Sequence, residues 1–328
     1  MKVGKVPEAV LKRSIIKQLK TKRPEIVQGA AVGEDCAVVA LKEDEVYVMS
    51  VDPITGTTHD LGYFAINITA NDIASAGAEN IGVMLTLLLP GTTEERDIKE
   101  IMKQVEEACS ALNIQVIGGH TEITDVVNQP VITVTGIGKV KRDEFITTGG
   151  AKPGDDIVIT KWIGLEGTSI IAKEKRNELE KKFSCSFIDR AEEFIKYLSV
   201  VPEAAVAVKH GVHAMHDVTE GGIFGALWEI AEASGVGLEI DLKSIPVKQE
   251  TIELCEVFGL NPYELISSGS MLIATERGSD LVRELNKASI NAAVVGKVMA
   301  GNDRVLINDD ERRFLEPPRT DELYKIYE

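Results

Sequence analysis

A short polar segment, "HAMHDVTEGG" at residues 213–222, combines side chains that can bind ions with two glycines that break a β-like run. An apolar segment follows the glycines and is predicted to form a helix over residues 222–234. Such a strand–turn–helix corner presents polar side chains together with free backbone N–H groups, which suits an anion or a metal–phosphate complex. His216 and Asp217 end the predicted strand, where functional side chains gather, so they are candidate functional residues.

Other candidate ligands lie in the first half of the chain, each beside a glycine, a proline or a predicted helix start. They occur in "GEDCA" (Asp35), "SVDP" (Asp52), "TANDIASAGA" (Asn71, Asp72) and "GGHTEIT" (His120, Thr121, Glu122). The chain contains neither the P-loop pattern nor a Gly-x-Gly-x-x-Gly after a strand. Carboxylate oxygens suit magnesium, which keeps several waters and bridges to substrate phosphates. Since side chains at element ends can converge on one cleft, these acids predict a magnesium–phosphate site.

Each of these residues also has a plainer interpretation. Asp35 could equally be a turn residue, because aspartate is favoured in turns. Asp52 could be a solvated acid at a strand end. Asp72 is harder to explain without a partner, because a carboxylate inside a helix rich in Ala, Ile and Gly costs free energy. His213 and His216 are three apart on a predicted strand, so they point to opposite faces and a shared zinc is not expected.

Hydrophobic patterning predicts the elements that must position these residues. In the first half, it predicts helices over 7–20, 61–78 and 92–113, the last with a threonine cap, and strands between them. The turn-rich segment "RDEFITTGGAKPGDD" favours a domain boundary near 145–155. The second half resumes with the strand "DIVITKWI" and a helix-like region over 187–209. This alternation predicts two α/β or α+β domains, residues 1–148 and 149–328.

Composition narrows the function classes. The net charge of -16 would repel a phosphodiester backbone, so nucleic-acid binding is not expected. A small anionic ligand would need local help, most simply from a divalent cation held by carboxylates. The four cysteines form no CxxC pair, which indicates reduced and mostly buried thiols. No run of about 18 apolar residues and no signal-like segment occurs, so a cytoplasmic protein without a membrane anchor is predicted.

In their order along the chain, the motifs resemble those of the PurM-like superfamily, the fold of aminoimidazole-ribonucleotide (AIR) synthetase. "GEDCAVV", "SVDPITG", "NDIASAGA" and "GGHTE" are similar to the four first-domain motifs, and "HDVTEGG" to the second-domain motif that approaches the ligand cleft. The resemblance implies an α/β (α+β) two-domain fold whose N-terminal halves pair into a dimeric β-barrel, and hence a homodimer. It also implies ATP bound with Mg²⁺, with acids in place of a P-loop.

The resemblance also implies roles for individual residues. The magnesium ligands would be Asp35, Asp52, Asp72 and Asp217. The ATP-binding residues would be the first three of these acids together with Asn71, Gly118, Gly119 and Thr121. Asp217 and His120 would be the catalytic residues, with Asp217 contacting metal or substrate from the second domain. The chemistry shared by the superfamily is ATP-driven activation of an oxygen atom, or direct phosphoryl transfer.

Within the superfamily, "IGLEGTSIIA" and "LISSGSMLIAT" most resemble HypE-like hydrogenase-maturation factors, which implies a small-molecule or carrier substrate and a maturation partner protein. Factors that make the cyanide ligand carry a modified cysteine at the extreme C-terminus, in Pro-Arg-Ile-Cys. This chain ends "EPPRTDELYKIYE", and its last cysteine, Cys255, is predicted to be buried in a helix. A non-catalytic nucleotide-binding maturation factor and an enzyme similar to thiamine-monophosphate kinase remain the alternatives.

Overall fold

The computed structural model describes residues 4–5, 10–28, 38–54, 57, 59–317 and 320–327. The chain divides into two compact units. The first unit comprises Met1–Ala74 and Ala78–Phe145, and the second comprises Ser75–Gly77 and Ile146–Glu328. None of the helices in the described ranges has the length and apolar character needed to cross a membrane.

The first unit contains a five-stranded sheet and two α-helices. The strands of the sheet are β1 (Gly4–Lys5), β4 (Glu45–Ile54), β5 (Glu79–Leu89), β6 (Gln115–Ile123) and β7 (Val131–Lys141). A separate two-stranded sheet pairs β2 (Ile26–Gln28) with β3 (Val38–Val39). The helices are α1 (Leu61–Ser75) and α2 (Glu95–Leu112). The order in the large sheet is β1-β6-β5-β7-β4, so β4 is an edge strand among the described residues.

α1 lies very close to the sheet because it packs on glycines. A Cβ atom at Gly136 of β7 would be 2.5 Å from Cγ2 of Thr69, and one at Gly138 would be 2.3 Å from Cγ2 of Ile73. Side chains at either position would force the helix away from the strand. The predicted small-residue, closely packed helix is therefore confirmed, although it ends at Ser75 and not at residue 78.

Two details of the first unit differ from the sequence prediction. The described part of the helix expected over 7–20 is a π-helical turn, Leu11–Ile15, followed by a 3₁₀ turn, Ile16–Gln18. Ser14 and Arg13 both bind Glu95 of α2, so a tertiary contact overrides helical periodicity here. The cap of α2 is Glu94 and not a threonine, because Glu94 and Asp97 form a reciprocal capping box.

The second unit contains a seven-stranded, mainly antiparallel sheet. Its strands are β8 (Asp156–Thr160), β9 (Ala214–Val218), β10 (Gly237–Asp241), β11 (Ser270–Thr275), β12 (Ala292–Met299), β13 (Arg304–Asn308) and β14 (Glu311–Phe314). Their order is β14-β13-β10-β12-β8-β11-β9, and β10 and β13 run parallel. The helices are α3 (Leu165–Glu174), α4 (Arg176–Leu179), α5 (Cys185–Glu192), α6 (Val201–His210), α7 (Gly222–Ser234), α8 (Gln249–Phe258) and α9 (Gly278–Lys287).

Of the helices predicted from the sequence in the second unit, one is confirmed and another is divided into separate segments. The helix predicted over 222–234 is α7, Gly222–Ser234, because a glycine stands at each end of a local apolar run. The region predicted as helix-like over 187–209 consists of α5, a 3₁₀ segment at Glu193–Tyr197, and α6. Pro202 lies in the first turn of α6, where its fixed φ and missing N–H are tolerated, so a new helix begins there.

Candidate functional site

Two of the predicted acids converge in the first unit on one serine. Ser50 and Asp52 are two residues apart on β4, so their side chains lie on the same face of the sheet. The Ser50 hydroxyl lies 3.2 Å from Oδ2 of Asp52, and it also hydrogen-bonds Oδ2 of Asp72 from α1. A hydroxyl has one proton to donate, so it can serve only one of these carboxylates fully at a time. The two carboxylates therefore face each other across a single hydroxyl group.

This pair suits a divalent cation. Carboxylates held this close repel each other when both are ionised. Magnesium is usually bound through one or two carboxylates, with waters and substrate phosphates completing its six oxygen ligands. In the described ranges, no group of three or more His, Cys, Asp or Glu residues is arranged to hold a metal without such help. Asp52 and Asp72 thus have the ligand type and number of a magnesium site that is completed by a phosphate ligand.

The close approach of α1 to the sheet near these two acids depends on a glycine of β7. Ser50 pairs with Gly136 of β7 in the sheet register. Because Gly136 has no side chain, Thr69 of α1 can lie against the strand at this point. Asp72 is three residues after Thr69 and so shares its side of the helix. Ser50 itself was not predicted, although the alternation Ser-x-Asp in "SVDP" is the signal that places it beside Asp52.

Of two further candidate residues of the first unit, Asn71 and Asp35, only Asn71 lies within the described residues. Asn71 is fully buried in α1, next to Asp72. Asp35, with the rest of "GEDCA", lies outside the described residues, so its predicted role as a magnesium and ATP ligand has no structural counterpart here.

The "GGHTE" segment lies within β6, where its residues alternate between the two faces of the sheet. A Cβ atom at Gly119 would lie 2.2 Å from the carbonyl oxygen of Leu85, and Gly119 has a φ of +151°, so only glycine fits. Gly118 precedes it. Thr121 is buried on the same face as Gly119, and the sheet register places Asp52 on that face too.

His120 is exposed on the opposite face of the sheet, and its Nε2 atom lies 3.3 Å from Oε2 of Glu122. Within one chain, His120 and the Asp52–Asp72 pair therefore do not share a face of the sheet.

The "HDVTEGG" corner lies in the second unit, where β9 leads into α7. Asp217 is buried in β9 and accepts a hydrogen bond of 3.3 Å from the hydroxyl of Ser75, which belongs to the same unit. His216 instead binds Glu229 at 2.8 Å, and His213 binds Asp155 at 2.9 Å, so the two histidines have separate partners.

The prediction of free backbone N–H groups at this corner is wrong for both glycines, because each N–H has a hydrogen-bond partner in the chain. The N–H of Gly221 donates a 2.7 Å hydrogen bond to Oδ2 of Asp321. The N–H of Gly222 donates to the carbonyl of Thr219 at 3.1 Å. The corner does bind an oxyanion, as its geometry indicates, but the oxyanion belongs to the same chain.

The second unit contains a buried acid that was not predicted from the sequence. Glu166 in α3 is only 4% exposed. Burial raises its pKa to about 7, Ser268 opposes this shift, and the charges of Asp321 and Glu220 add to it. The signal was the same one that singled out Asp72, a lone carboxylate within a run of small and apolar residues, "IGLEGTSIIA".

The described cysteines differ in exposure. Cys255 in α8 is 2% exposed, which confirms the predicted burial, and burial raises its pKa to about 12. Cys109 is also buried, and burial raises the pKa of its thiol far above the ordinary value. Cys185 is exposed, and Cys36 lies outside the described residues. Neither buried thiol is a ready nucleophile, since the thiolate is the reactive form.

Two family models match the chain in succession. The model described as AIR synthase related protein, N-terminal domain, matches residues 33–140. The model described as AIR synthase related protein, C-terminal domain, matches residues 152–308. Together they extend over most of the chain.

Curated relatives carry related names. A putative hydrogenase expression/formation protein of Methanocaldococcus jannaschii is 27% identical over 334 residues, covering 98% of this chain and 97% of that protein. The carbamoyl dehydratase HypE of Cupriavidus necator is 28% identical over 273 residues, covering 78% of this chain and 76% of that protein.

Solved structures of hydrogenase maturation protein HypE share the fold. HypE in complex with ATP superposes with a TM-score of 0.80 at 19% identity, covering 96% of this chain and 95% of that chain. HypE in a HypE–HypF complex has a TM-score of 0.72 at 20% identity, covering 85% of this chain and 92% of that chain. With both family domains present in order and this fold, the chain belongs to the AIR synthase related, PurM-like family.

Proposed function

We propose that the protein binds magnesium–ATP through acids of its first unit and uses it to phosphorylate or activate an oxygen of a small molecule or carrier group. The observation that carries this proposal is the convergence of Asp52 and Asp72 on the hydroxyl of Ser50. Magnesium in nucleotide sites is commonly held by one or two carboxylates together with the substrate phosphates, so these two acids can bind the nucleotide through the metal without a P-loop. Bound magnesium would supply charge neutralisation of the ATP phosphates.

The remaining assigned residues have supporting roles in this proposal. Asp35 would add a third carboxylate. Asn71 and Thr121 would act from buried positions, and Gly118 and Gly119 would let the backbone come close to the nucleotide. Asp217 and His120 would contact the reacting groups. Because His120 lies on the other face of the sheet from Asp52, its role requires a second copy of the chain.

The named relatives support the ATP-using class. One relative is named a carbamoyl dehydratase, and one solved neighbour contains ATP. The HypE–HypF complex is the support for a maturation partner protein. A nucleotide-binding maturation factor that does not turn over is the alternative. It predicts magnesium–ATP binding without release of ADP or AMP, whatever carrier or partner is supplied.

Calorimetric titration with ATP tests the proposed site. In excess magnesium we expect binding, and in EDTA we expect affinity to fall by about 100-fold or more, since two carboxylates without a cation would repel the phosphates. A thermal-shift series with the same additions serves as a second measure, because a ligand that binds the native state raises Tm. Equal ATP affinity in magnesium and in EDTA would refute a metal-mediated site.

We also propose that the protein is a homodimer formed through the sheet of the first unit. The edge strand β4 exposes three apolar side chains in alternation, Tyr47 (48%), Met49 (61%) and Val51 (58%). In the register, Val51 lies opposite Thr135, which lies opposite Met84, itself 37% exposed. An exposed apolar row on a sheet edge is typical of a protein–protein interface and favours pairing with a second copy.

Light scattering at micromolar concentration tests the dimer. We expect twice the 35.6 kDa mass of the chain for the wild type, and a single chain mass for Met49→Asp, since a charge at the centre of the row would have to be buried. Met299→Asp is the matched control, because Met299 is a similarly exposed methionine of the second unit (42%). A monomeric wild type, or dimers that survive Met49→Asp, would contradict the proposed interface.

A further inference from the structure

The second unit contains a cavity of about 490 Å³ beside the hairpin that β13 and β14 form. Its apolar lining includes Tyr263 and two buried leucines, Leu242 and Leu306. Its charged lining includes Glu311 and Arg313 of β14. A cavity of this size with apolar walls and a few charged groups is typical of small-molecule sites. Among the described residues, its lining includes none of the "HDVTEGG" motif, so this cavity is separate from the glycine corner.

The sheet register places the two charged side chains of β14 on one face. Arg313 pairs with Leu306 across the hairpin, and Glu311 pairs with Asn308. Residues two apart on a strand share a face, and so do residues directly opposite each other on neighbouring strands. Glu311 and Arg313 therefore lie on the face of the buried Leu306, with Cα atoms about 7 Å apart. Both side chains can reach the same small ligand.

These two charges lack a partner within the chain. Over the ranges that the structure describes, Arg313 and Glu311 form no ion pair, either with each other or with a third residue. Lys243, another basic residue of the lining, instead binds Asp309. An anion alone would bring its charge close to Glu311, and a cation alone would bring its charge close to Arg313. A ligand that carries both charges suits the pair best.

Two stacked aromatic rings lie beside the arginine. The ring planes of Phe224 and Tyr263 differ by 9°, and their centroids are 5.1 Å apart. The Arg313 guanidinium lies 5.7 Å from the centroid of Phe224. Burial raises the pKa of Tyr263, and the charge of Arg313 opposes this shift, so the guanidinium also acts on the phenol. A guanidinium beside aromatic rings can still present two parallel N–H donors to a carboxylate.

We propose that this cavity binds a free α-amino acid with an aromatic side chain. Arg313 donates two hydrogen bonds to its carboxylate, and Glu311 accepts from its ammonium group. The aromatic side chain packs against Tyr263 and the two leucines, because aromatic pairs gain stability beyond the area that they bury. The site lies within the second unit and depends neither on magnesium–ATP nor on the proposed function.

Calorimetric titration of the full-length chain, without nucleotide or magnesium, tests the ligand class. We expect L-phenylalanine to bind. N-acetyl-L-phenylalanine lacks the ammonium charge and L-phenylalaninamide lacks the carboxylate, so each should bind at least about tenfold more weakly. L-alanine keeps both charges but has no ring, and it should also bind at least about tenfold more weakly. No binding of millimolar phenylalanine, or equal affinity for phenylalanine and its two derivatives, would refute the site.

Substitution of the two charged residues tests each contact against the ligand group that it binds. Arg313→Gln should weaken phenylalanine binding at least about tenfold but leave the affinity for phenylalaninamide unchanged, because that ligand has no carboxylate. Glu311→Gln should weaken phenylalanine binding to a similar extent but leave the affinity for N-acetylphenylalanine unchanged, because that ligand has no ammonium group. Wild-type affinity for phenylalanine in either variant, or the opposite dependence on the derivatives, would overturn the assignment.

Arg312→Gln is the matched control, since it removes the same charge from the neighbouring position. Arg312 borders the cavity, but its guanidinium binds Glu239, and alternation along β14 turns its side chain to the other face of the sheet. This variant should keep wild-type affinity for phenylalanine. Equal losses in Arg312→Gln and Arg313→Gln would contradict the site. Tm should stay at the wild-type value in Arg313→Gln and Glu311→Gln, because neither exposed side chain has an ion pair to lose.

Discussion

Asp72→Asn is expected to weaken the binding of magnesium–ATP by about 100-fold, or about 2.7 kcal/mol, with no loss of thermal stability. Asparagine keeps the size of the side chain and can still accept a hydrogen bond from Ser50, but it removes one of the negative charges that attract the cation. Removing that charge also relieves the repulsion between Asp72 and Asp52, so Tm should stay the same or rise. Calorimetry with ATP in excess magnesium gives the affinity, and calorimetric melting gives Tm.

The control for this variant is Asp143→Asn, which removes an exposed acid of the same unit. It should change neither quantity. Asp52→Asn should reproduce the loss of affinity seen for Asp72→Asn, because the two carboxylates share Ser50. If Tm falls in Asp72→Asn while nucleotide affinity survives, Asp72 has a structural role and the proposed metal site is wrong.

Lys161→Met is expected to lower the free energy of unfolding of the second unit by about 3–5 kcal/mol. Lys161 follows β8, is 7% exposed, and donates to Glu203 at 2.6 Å and to the carbonyls of Tyr197 and Ser199 at 2.7 and 2.6 Å. Three acceptors match the three protons of an ammonium group. Burial lowers the pKa of Lys161 and raises that of Glu203, and the contacts between them oppose both shifts. Methionine would leave Glu203, 2% exposed, without its ion-pair partner.

Denaturant unfolding of a double variant that removes both charges distinguishes the cost of a buried unpaired charge from the cost of lost packing. The double variant Lys161→Met with Glu203→Leu should recover most of the lost stability, because no unpaired charge is then buried. Lys287→Met breaks an exposed ion pair with Glu284 and should leave the free energy of unfolding nearly unchanged. A loss below about 1 kcal/mol for Lys161→Met alone would contradict the view that this buried pair stabilises the unit.

Local sequence signals accounted for most of the elements that carry the site. The glycines around α7, the buried run of β5 before Pro90 and the small residues of α1 each predict their own element, because turn chemistry and periodicity act over a few residues. Boundaries were less accurate where tertiary contacts dominate. Arg13 and Ser14 bind Glu95 far along the chain, and no local pattern near residue 13 reports that contact.

The sequence by itself predicted the chemical character of the proposed site: carboxylates at element ends, no P-loop pattern, and a glycine turn suited to an oxyanion. Only the tertiary structure decided which groups meet. The register of β4 on β7 and the bare surface at Gly136 bring Asp72 to Ser50, whereas strand alternation turns His120 to the other face. Likewise, only the folded chain shows that Asp321 holds the N–H of Gly221, 100 residues away. Residue types and spacings specify local geometry and chemistry, but contacts between distant segments depend on how the sheets and helices pack.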